Sequence, residues 1–211
     1  MREAMTMEHA RSKVARRWAP VLVGAPAIAG MTLAGLASAG ATTPAGRRSS
    51  PPAVVHESLV LLDGGMTDHS GWPQIVGGKS IVLPAHTKVE LTIYSFDTGT
   101  APLTKSLEIY DKVLGTIGGS ETINGKTASS LANKDVSHTF TVPSIGLNLV
   151  IPVATSSKRD GIQPAVVTAT FETSKTGTFA WHCYAPCGSG SDGMGGPMVT
   201  AGYMTGDVVI G

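Results

Sequence analysis

Short segments in which apolar and polar residues alternate recur along the chain from residue 55 onward. In KVELTIYSFD, for example, Val89, Leu91 and Ile93 occupy every second position. A period of two places one face of a β-strand against a core and the other toward solvent. About seven such segments are separated by turn residues, a spacing typical of a β-sandwich or barrel. The sequence therefore predicts one all-β domain over residues 55–211.

Two segments precede this domain. Residues 1–39 begin with basic residues and continue as an uncharged run rich in Ala, Gly, Leu and Val, which contains the small-residue site Ala37-Ser38-Ala39. This order is typical of an export signal. The run is also long enough to be an uncleaved membrane anchor, although its prolines and glycines disfavour a permanent helix. Residues 40–54 are rich in Pro, Ser and Thr and are predicted to be a disordered linker.

The charge of the domain argues against nucleic-acid binding. The whole chain has 16 Lys and Arg against 15 Asp and Glu, but without residues 1–39 the counts are 11 and 13, a net charge of −2. No basic patch remains to bind a phosphate backbone. Two cysteines are too few for a disulfide scaffold, so in an exported protein we expect both to serve one site. Contact with a membrane is expected only through an uncleaved signal.

Residues 98–134 interrupt the strand pattern. Apolar residues between positions 103 and 117 follow a helix-like spacing, and the stretch GGSETINGKTASSLANKD that follows is rich in turn residues. We therefore predict an irregular, exposed insertion between two strands, with one short helix.

The stretch FAWHCYAPCGSGSDGM, residues 179–194, holds the residues best suited to chemistry. Strand alternation places Phe179, Trp181 and Cys183 on one face and His182 on the other. The face with the two aromatic rings is expected to be the core. Cys183 should therefore point inward at the end of the strand, while His182 points away.

Other soft or nitrogen ligands lie on both sides of this strand. In HTFTV, His138 shares a face with Phe140, so it is either a buried structural histidine, which the pattern alone favours, or a metal ligand. Met194 and Met198 follow the cysteines in a glycine-rich stretch, where thioethers either pack a loop or bind a soft metal. Thiolate and thioether together favour copper, especially Cu(I).

Two of these stretches, HTFTVPSIGLNLVIP and GTFAWHCYAPCGSGSDGM with the later GYMTGDVVI, together resemble the cupredoxins; IVLPAHTKVELTIYSFD is a weaker match. The resemblance is strongest to the copper-binding domain of cytochrome c oxidase subunit II and its single-domain bacterial relatives. It implies an antiparallel Greek-key β-sandwich. The dinuclear copper version of this family has the loop pattern Cys-x3-Cys-x3-His-x2-Met. Cys183, Cys187 and Met194 match it, whereas Ser191 stands where the pattern has histidine.

The resemblance implies copper as the cofactor, with Met194 as a weak axial ligand and His182 and Met198 as secondary candidates. The implied metal ligands are His138, Cys183, Cys187 and Met194. Three interpretations stay open. Copper is bound by this set; or His182 turns inward and replaces the missing histidine; or Cys183 and Cys187 form a disulfide in a copper-free, secreted binding or structural domain.

The favoured function is an exported copper protein that carries one electron to a redox partner or holds copper, and that is not an enzyme on its own. Trp181 and Phe179 would keep water from the site. The chain has no H-x-H pair, which argues against a laccase-like multicopper oxidase. A further alternative is an accessory or subunit II-like component of a terminal oxidase, although the sequence has no pair of membrane hairpin helices.

Overall fold

The computed structural model describes residues 53–67, 71–188 and 193–211, which form β-strands and short 3-10 helices. The predicted export signal, most of the predicted linker and Ser191 lie outside these ranges. The strands are β1 (Val54–Leu62), β2 (Gln74–Ile75), β3 (Ser80–Leu83), β4 (Lys88–Ser95), β5 (Glu121–Ile123), β6 (Lys126–Ala128), β7 (Val136–Val142), β8 (Leu147–Pro152), β9 (Thr155–Ser157), β10 (Gly161–Gln163), β11 (Ala165–Glu172), β12 (Gly177–His182) and β13 (Thr205–Ile210). The 3-10 helices are Lys105–Asp111, Asn133–Asp135, Pro143–Ile145 and Gly196–Met198.

The strands form two main sheets and a separate hairpin. The first sheet has the order β2-β1-β4-β11-β5-β6, the second has the order β3-β13-β12-β7-β8, and β9 pairs with β10 alone. The predicted all-β sandwich is confirmed. Most neighbours are antiparallel, but β1 pairs with β4 and β3 pairs with β13 in parallel. Both sheets are therefore mixed rather than purely antiparallel.

In the first sheet, residues that alternate between apolar and polar in the sequence also alternate between buried and more exposed in the structure. In β4, Val89, Leu91 and Ile93 are buried and Tyr94 is exposed. Strands β7 and β8 of the second sheet differ, because every residue in them is buried. Side chains that would face solvent in a two-layer sandwich are covered here by other parts of the chain.

Part of that cover is the segment 98–134, which is more ordered and more buried than the sequence suggests. Leu103 and Val113 belong to the core, so the expected surface exposure is wrong for these positions. The predicted helix is the 3-10 helix Lys105–Asp111. Further along, β5 pairs with β11, and Leu114 pairs with Asn148 of β8. The insertion therefore joins the edge of one sheet to the edge of the other.

Trp181 anchors strand β12 next to the candidate site. Its indole is fully buried, its ring centroid lies 5.2 Å from that of Phe140, and its Nε1–H donates to the Gly78 carbonyl at 2.6 Å. A Cβ at Gly206 would overlap both the indole and the Gly78 carbonyl, so a glycine is needed at this close approach. No helix within the described ranges has the length and apolar character needed to cross a membrane.

Candidate metal centre

Three potential ligands meet where β7 begins and β12 ends. His138 lies on β7, Cys183 directly follows β12, and Cys187 lies in the loop beyond. One imidazole nitrogen and the two Sγ atoms all lie within 4.8 Å of one another. In the sequence, His138 is 45 residues from Cys183, whereas Cys183 and Cys187 are only four residues apart. The cluster therefore forms because β7 and β12 are neighbours in the second sheet.

His138 is held by a carboxylate that the sequence pattern did not single out. Its Nε2 lies 2.8 Å from Asp97 Oδ2, and its Nδ1 lies 3.8 Å from Cys183 Sγ. The hydrogen bond to Asp97 favours the proton on Nε2 and leaves Nδ1 available to a metal. Carboxylates commonly orient metal-binding histidines in this way. The pairing of β7 with β8 has a register shift between Val136 and His138, so the strand is locally irregular at the position that carries this ring.

The charges of His138 and Asp97 stabilise each other. Burial by itself would lower the pKa of His138, but hydrogen bonds to Asp97 and Cys183 outweigh burial and raise that pKa to about 9. Burial would likewise raise the pKa of Asp97, but the hydrogen bond and positive charge of His138 bring it below its usual range. The pair is thus an ion pair whenever a proton, rather than a metal, occupies Nδ1.

Cys183 is the buried thiol of the centre, with 1% of its surface exposed. The Thr139 backbone N–H lies 3.3 Å from its Sγ and donates to it. Burial would raise the pKa of Cys183, but hydrogen bonds from Cys187 and His138 and the nearby imidazolium charge bring it well below its usual value. The site therefore favours a thiolate at Cys183, and the thiolate is the form that binds metals.

Cys187 is half-buried and differs from Cys183 in its electrostatics. Its Sγ lies 3.6 Å from Cys183 Sγ, and both cysteines are free thiols, not a disulfide. The hydrogen bond to Cys183, together with burial and the negative charge of Cys183, raises the pKa of Cys187. One of the two thiols therefore keeps its proton until a cation enters.

Two methionines were candidates for the thioether ligand. Met198 is 5% exposed, and its Sδ lies 3.1 Å from Cys187 Sγ. Met194 is half-buried and packs against the core. The secondary candidate, Met198, is thus in direct contact with a thiol of the cluster, and it lies in the 3-10 helix Gly196–Met198.

His182 faces away from the cluster, as strand alternation predicts. Its Nδ1 lies 2.8 Å from Thr205 Oγ1, and its ring packs edge-on to Tyr184. Trp181 and Cys183 on the opposite face are buried, with Phe179 half-buried. His182 is therefore not among the residues that the structure brings together at the cluster.

An open cavity of about 340 Å³ reaches the cluster from solvent. Its lining includes two carboxylates, Asp63 and Asp97, together with His138 and Cys187. Cys183 is buried and is not among the lining residues. A small cation could therefore approach along an acidic wall and meet Cys187 and His138 first.

The donor set fits a soft or borderline metal ion. Atoms bound to one first-row ion at about 2.0–2.3 Å lie roughly 3.3–4 Å apart, and the Sγ–Sγ and Sγ–Nδ1 separations are 3.6 and 3.8 Å. Imidazole and thiolates suit both zinc and copper. A thioether beside two thiols favours copper over zinc, because it is a soft ligand that Cu(I) prefers.

No family model matches the chain, and no curated protein matches it. Solved structures that are similar include reduced rusticyanin, with 15% identity, 75% of this chain and 79% of that chain covered, and a TM-score of 0.34. A heme-copper terminal oxidase dimer matches with 12% identity, 74% and 65% covered, and a TM-score of 0.32. A multicopper oxidase matches with 12% identity, 76% and 45% covered, and a TM-score of 0.33. All of these similarities are distant.

Proposed function

We propose that this domain binds copper through His138, Cys183 and Cys187 with a methionine thioether, and that it acts as an exported one-electron carrier. The observation that carries the proposal is the close approach of the three ligand atoms, all within 4.8 Å, around an imidazole whose Nδ1 faces a thiol. The contact of Met198 with Cys187 favours Met198 as the thioether ligand. Met194 is the alternative.

Copper supplies a reversible one-electron couple when bound, and the protein's part is to hold its ligands still. Asp97 orients His138, and the Thr139 amide holds Cys183. Trp181 fills the core beside the strand that leads to Cys183 and so keeps water from the core side of the site, opposite the cavity. Ligands that are already in place need little rearrangement between oxidation states, which favours fast electron transfer to a redox protein partner.

Copper holding is the second candidate function, and the open cavity supports it. An electron carrier needs only to come close to its redox partner, whereas a copper-holding protein must let the copper ion enter and leave. The half-buried Cys187 lines the cavity and could receive or release the ion there. The accessory or subunit II-like role in a terminal oxidase rests on the sequence resemblance alone.

The test is to purify residues 40–211, add copper, and measure metal content, visible absorption and free thiols. One copper ion per chain with intense thiolate-to-copper bands and a reversible voltammetric wave would support the carrier. One colourless Cu(I) per chain without such a wave would favour copper holding.

The matched control is His138→Ala, which should lose stoichiometric copper while keeping its two thiols. Zero free thiols and no bound metal in the unmodified protein would instead support the copper-free disulfide domain and end the copper proposal. Competition with zinc in the same assay decides between the two metals that the donor set admits.

A further inference from the structure

Buried polar side chains form a continuous chain of hydrogen bonds beside the metal centre. Thr139 and Thr141 on β7 and Asn148 on β8 are each at most 2% exposed. The Tyr184 backbone N–H donates to Thr139 Oγ1 at 2.8 Å, and Thr139 Oγ1 lies 3.0 Å from Thr141 Oγ1. Thr141 Oγ1 donates to Asn148 Oδ1 at 2.5 Å. One end of the chain is therefore the residue that follows Cys183.

The other end of the chain is the backbone of the insertion. Asn148 Nδ2 donates to the Tyr110 carbonyl at 3.1 Å and to the Lys112 carbonyl at 2.6 Å. The Asn148 backbone also exchanges two hydrogen bonds with Leu114, at 2.9 and 3.0 Å. Both amide hydrogens and the Oδ1 of this side chain are in use, so the amide has only one orientation that keeps all its bonds. Asn148 is thus a fixed link between the insertion and strand β7.

The hydroxyl groups in the chain have only one consistent set of roles. Thr141 donates its single hydroxyl hydrogen to Asn148, so it must accept from Thr139. Thr139 in turn donates to Thr141 and accepts from the Tyr184 amide. All donors point in one direction, from the cysteine loop toward the insertion. Such chains polarise one another cooperatively, and a buried group that loses its partner has no water to replace it.

The insertion also holds Tyr184 by its ring. The rings of Tyr110 and Tyr184 are stacked, with centroids 4.1 Å apart and planes 2° from parallel. Stacked aromatic pairs stabilise beyond the area they bury. Tyr110 therefore acts on Tyr184 twice, through its carbonyl at the end of the polar chain and through its ring.

Cys183 is consequently anchored on both sides. Its own N–H donates to the Met204 carbonyl at 3.0 Å, and the next residue, Tyr184, is held by the polar chain and the stack. We propose that Tyr110, Thr141 and Asn148 are positioning residues that hold Cys183 Sγ toward His138 through Tyr184. The proposal deepens the copper function and rests on it for its consequence, but the clamp itself requires no metal.

The first test uses the metal-free protein and the exchange of the Tyr184 amide hydrogen measured by NMR. Thr141→Val removes the hydroxyl, whereas the matched variant Thr141→Ser keeps it. We expect exchange at Tyr184 to be at least tenfold faster in the valine variant and close to that of the unmodified protein in the serine variant. The Val167 amide in the other sheet reports any general loss of stability. Equal Tyr184 rates in the two variants would overturn the proposal.

The second test addresses the stack and does not depend on a buried substitution. Tyr110 is half-buried, so Tyr110→Ala should fold, and Tyr110→Phe keeps the ring. We expect faster Tyr184 exchange in the alanine variant and an unchanged rate in the phenylalanine variant. Equal rates in these two variants would exclude the stack as a clamp.

The third measurement loads the same four variants with copper and records the thiolate-to-copper absorption maximum and the reduction potential. We expect both to shift in Thr141→Val and Tyr110→Ala and to stay in place in Thr141→Ser and Tyr110→Phe. A protein that binds no copper would end the proposed function, while hydrogen exchange would still decide the clamp. Faster exchange at Tyr184 with unchanged copper spectra would overturn the proposal, because Tyr184 would then be held without positioning Cys183.

Discussion

The candidate metal centre has one half that is carried by strands and one half that lies in the segment after β12. The strand-borne half consists of His138 and Cys183, and both are buried. Each of these side chains makes a hydrogen bond with a residue from a neighbouring part of the chain. The loop-borne half, Cys187 and Met198, is held mostly by short-range contacts such as the Cys187 N–H to the Ala185 carbonyl at 2.7 Å. Contacts between distant elements therefore place the first pair of candidate ligands without a metal, whereas the second pair relies mainly on contacts with residues close in the sequence.

The two cysteines should therefore be unequal ligands. Cys183→Ser removes the thiol that the site favours as a thiolate, so we expect copper affinity to fall more than 1,000-fold, about 4 kcal/mol. Cys187→Ser removes the half-buried thiol, whose pKa is raised, and we expect a loss of about tenfold. Competition with a chromophoric copper chelator measures both. Equal losses would mean that the two halves do not differ in this way.

The stability of the fold around the strand-borne half should also depend on pH, because a buried carboxyl group, that of Glu121, lies against β8. Glu121 is 3% exposed, its carboxylate oxygens lie 3.3 Å from the Val150 amide on β8, and Val150 pairs with Thr139 of β7. Burial raises the pKa of Glu121 from 4.5 to about 8, although the Val150 amide opposes this. Between these two values the folded protein keeps a proton that the unfolded chain has lost, so stability falls as pH rises.

We therefore expect the free energy of unfolding of the metal-free protein to drop between pH 5 and pH 8.5 by on the order of 3 kcal/mol through this group. Urea unfolding at several pH values measures the drop. Glu121→Gln should flatten the profile, whereas the exposed Glu172→Gln should leave it as it is. An unchanged slope in Glu121→Gln would show that this carboxyl titrates at its ordinary value.

A smaller effect is expected from the carboxylate that orients His138. Asp97→Asn keeps the shape of the side chain but removes the charge beside Nε2, and loss of such a partner commonly weakens metal binding 10- to 100-fold. We expect about a tenfold loss of copper affinity with little change in folding. Glu90→Gln, which alters a carboxylate paired with the exposed His56, is the control. Identical affinities in the two variants would remove Asp97 from the description of the site.

The smallest effect should come from the thioethers. Met198→Leu removes the sulfur that lies 3.1 Å from Cys187, and we expect copper affinity to fall severalfold, because a weak axial ligand contributes little. Met194→Leu is the matched substitution on the same loop and should change affinity less. The reverse order, with Met194→Leu as the more damaging change, would support Met194 as the axial ligand, as the sequence pattern implies.

Local patterns predicted the parts of this molecule that depend on local geometry. A period of two is enough to place Cys183 inward and His182 outward, and to bury Val89, Leu91 and Ile93. These outcomes follow from strand geometry alone, whichever strands are neighbours.

Features that depend on pairing between distant segments could not be predicted in this way. Asp97 meets His138 across 41 residues, and nothing near either residue in the sequence announces the contact. The parallel pairing of β1 with β4 has the same cause, because alternation does not reveal strand direction. The insertion looked irregular because its order comes from β8, β11 and Tyr184, and not from its own sequence.

Strand β13 contributes most to the alignment of β12, the strand that leads to Cys183. It pairs with all six residues of β12, whereas β7 pairs with β12 at the single position His182–Thr141. The strand that delivers Cys183 is thus aligned mainly by residues 205–210, which follow every candidate ligand in the chain. Since synthesis proceeds from the N-terminus, residues 205–210 are made after all of these ligands, so the pairing that aligns most of β12 forms only after the cysteines have been made.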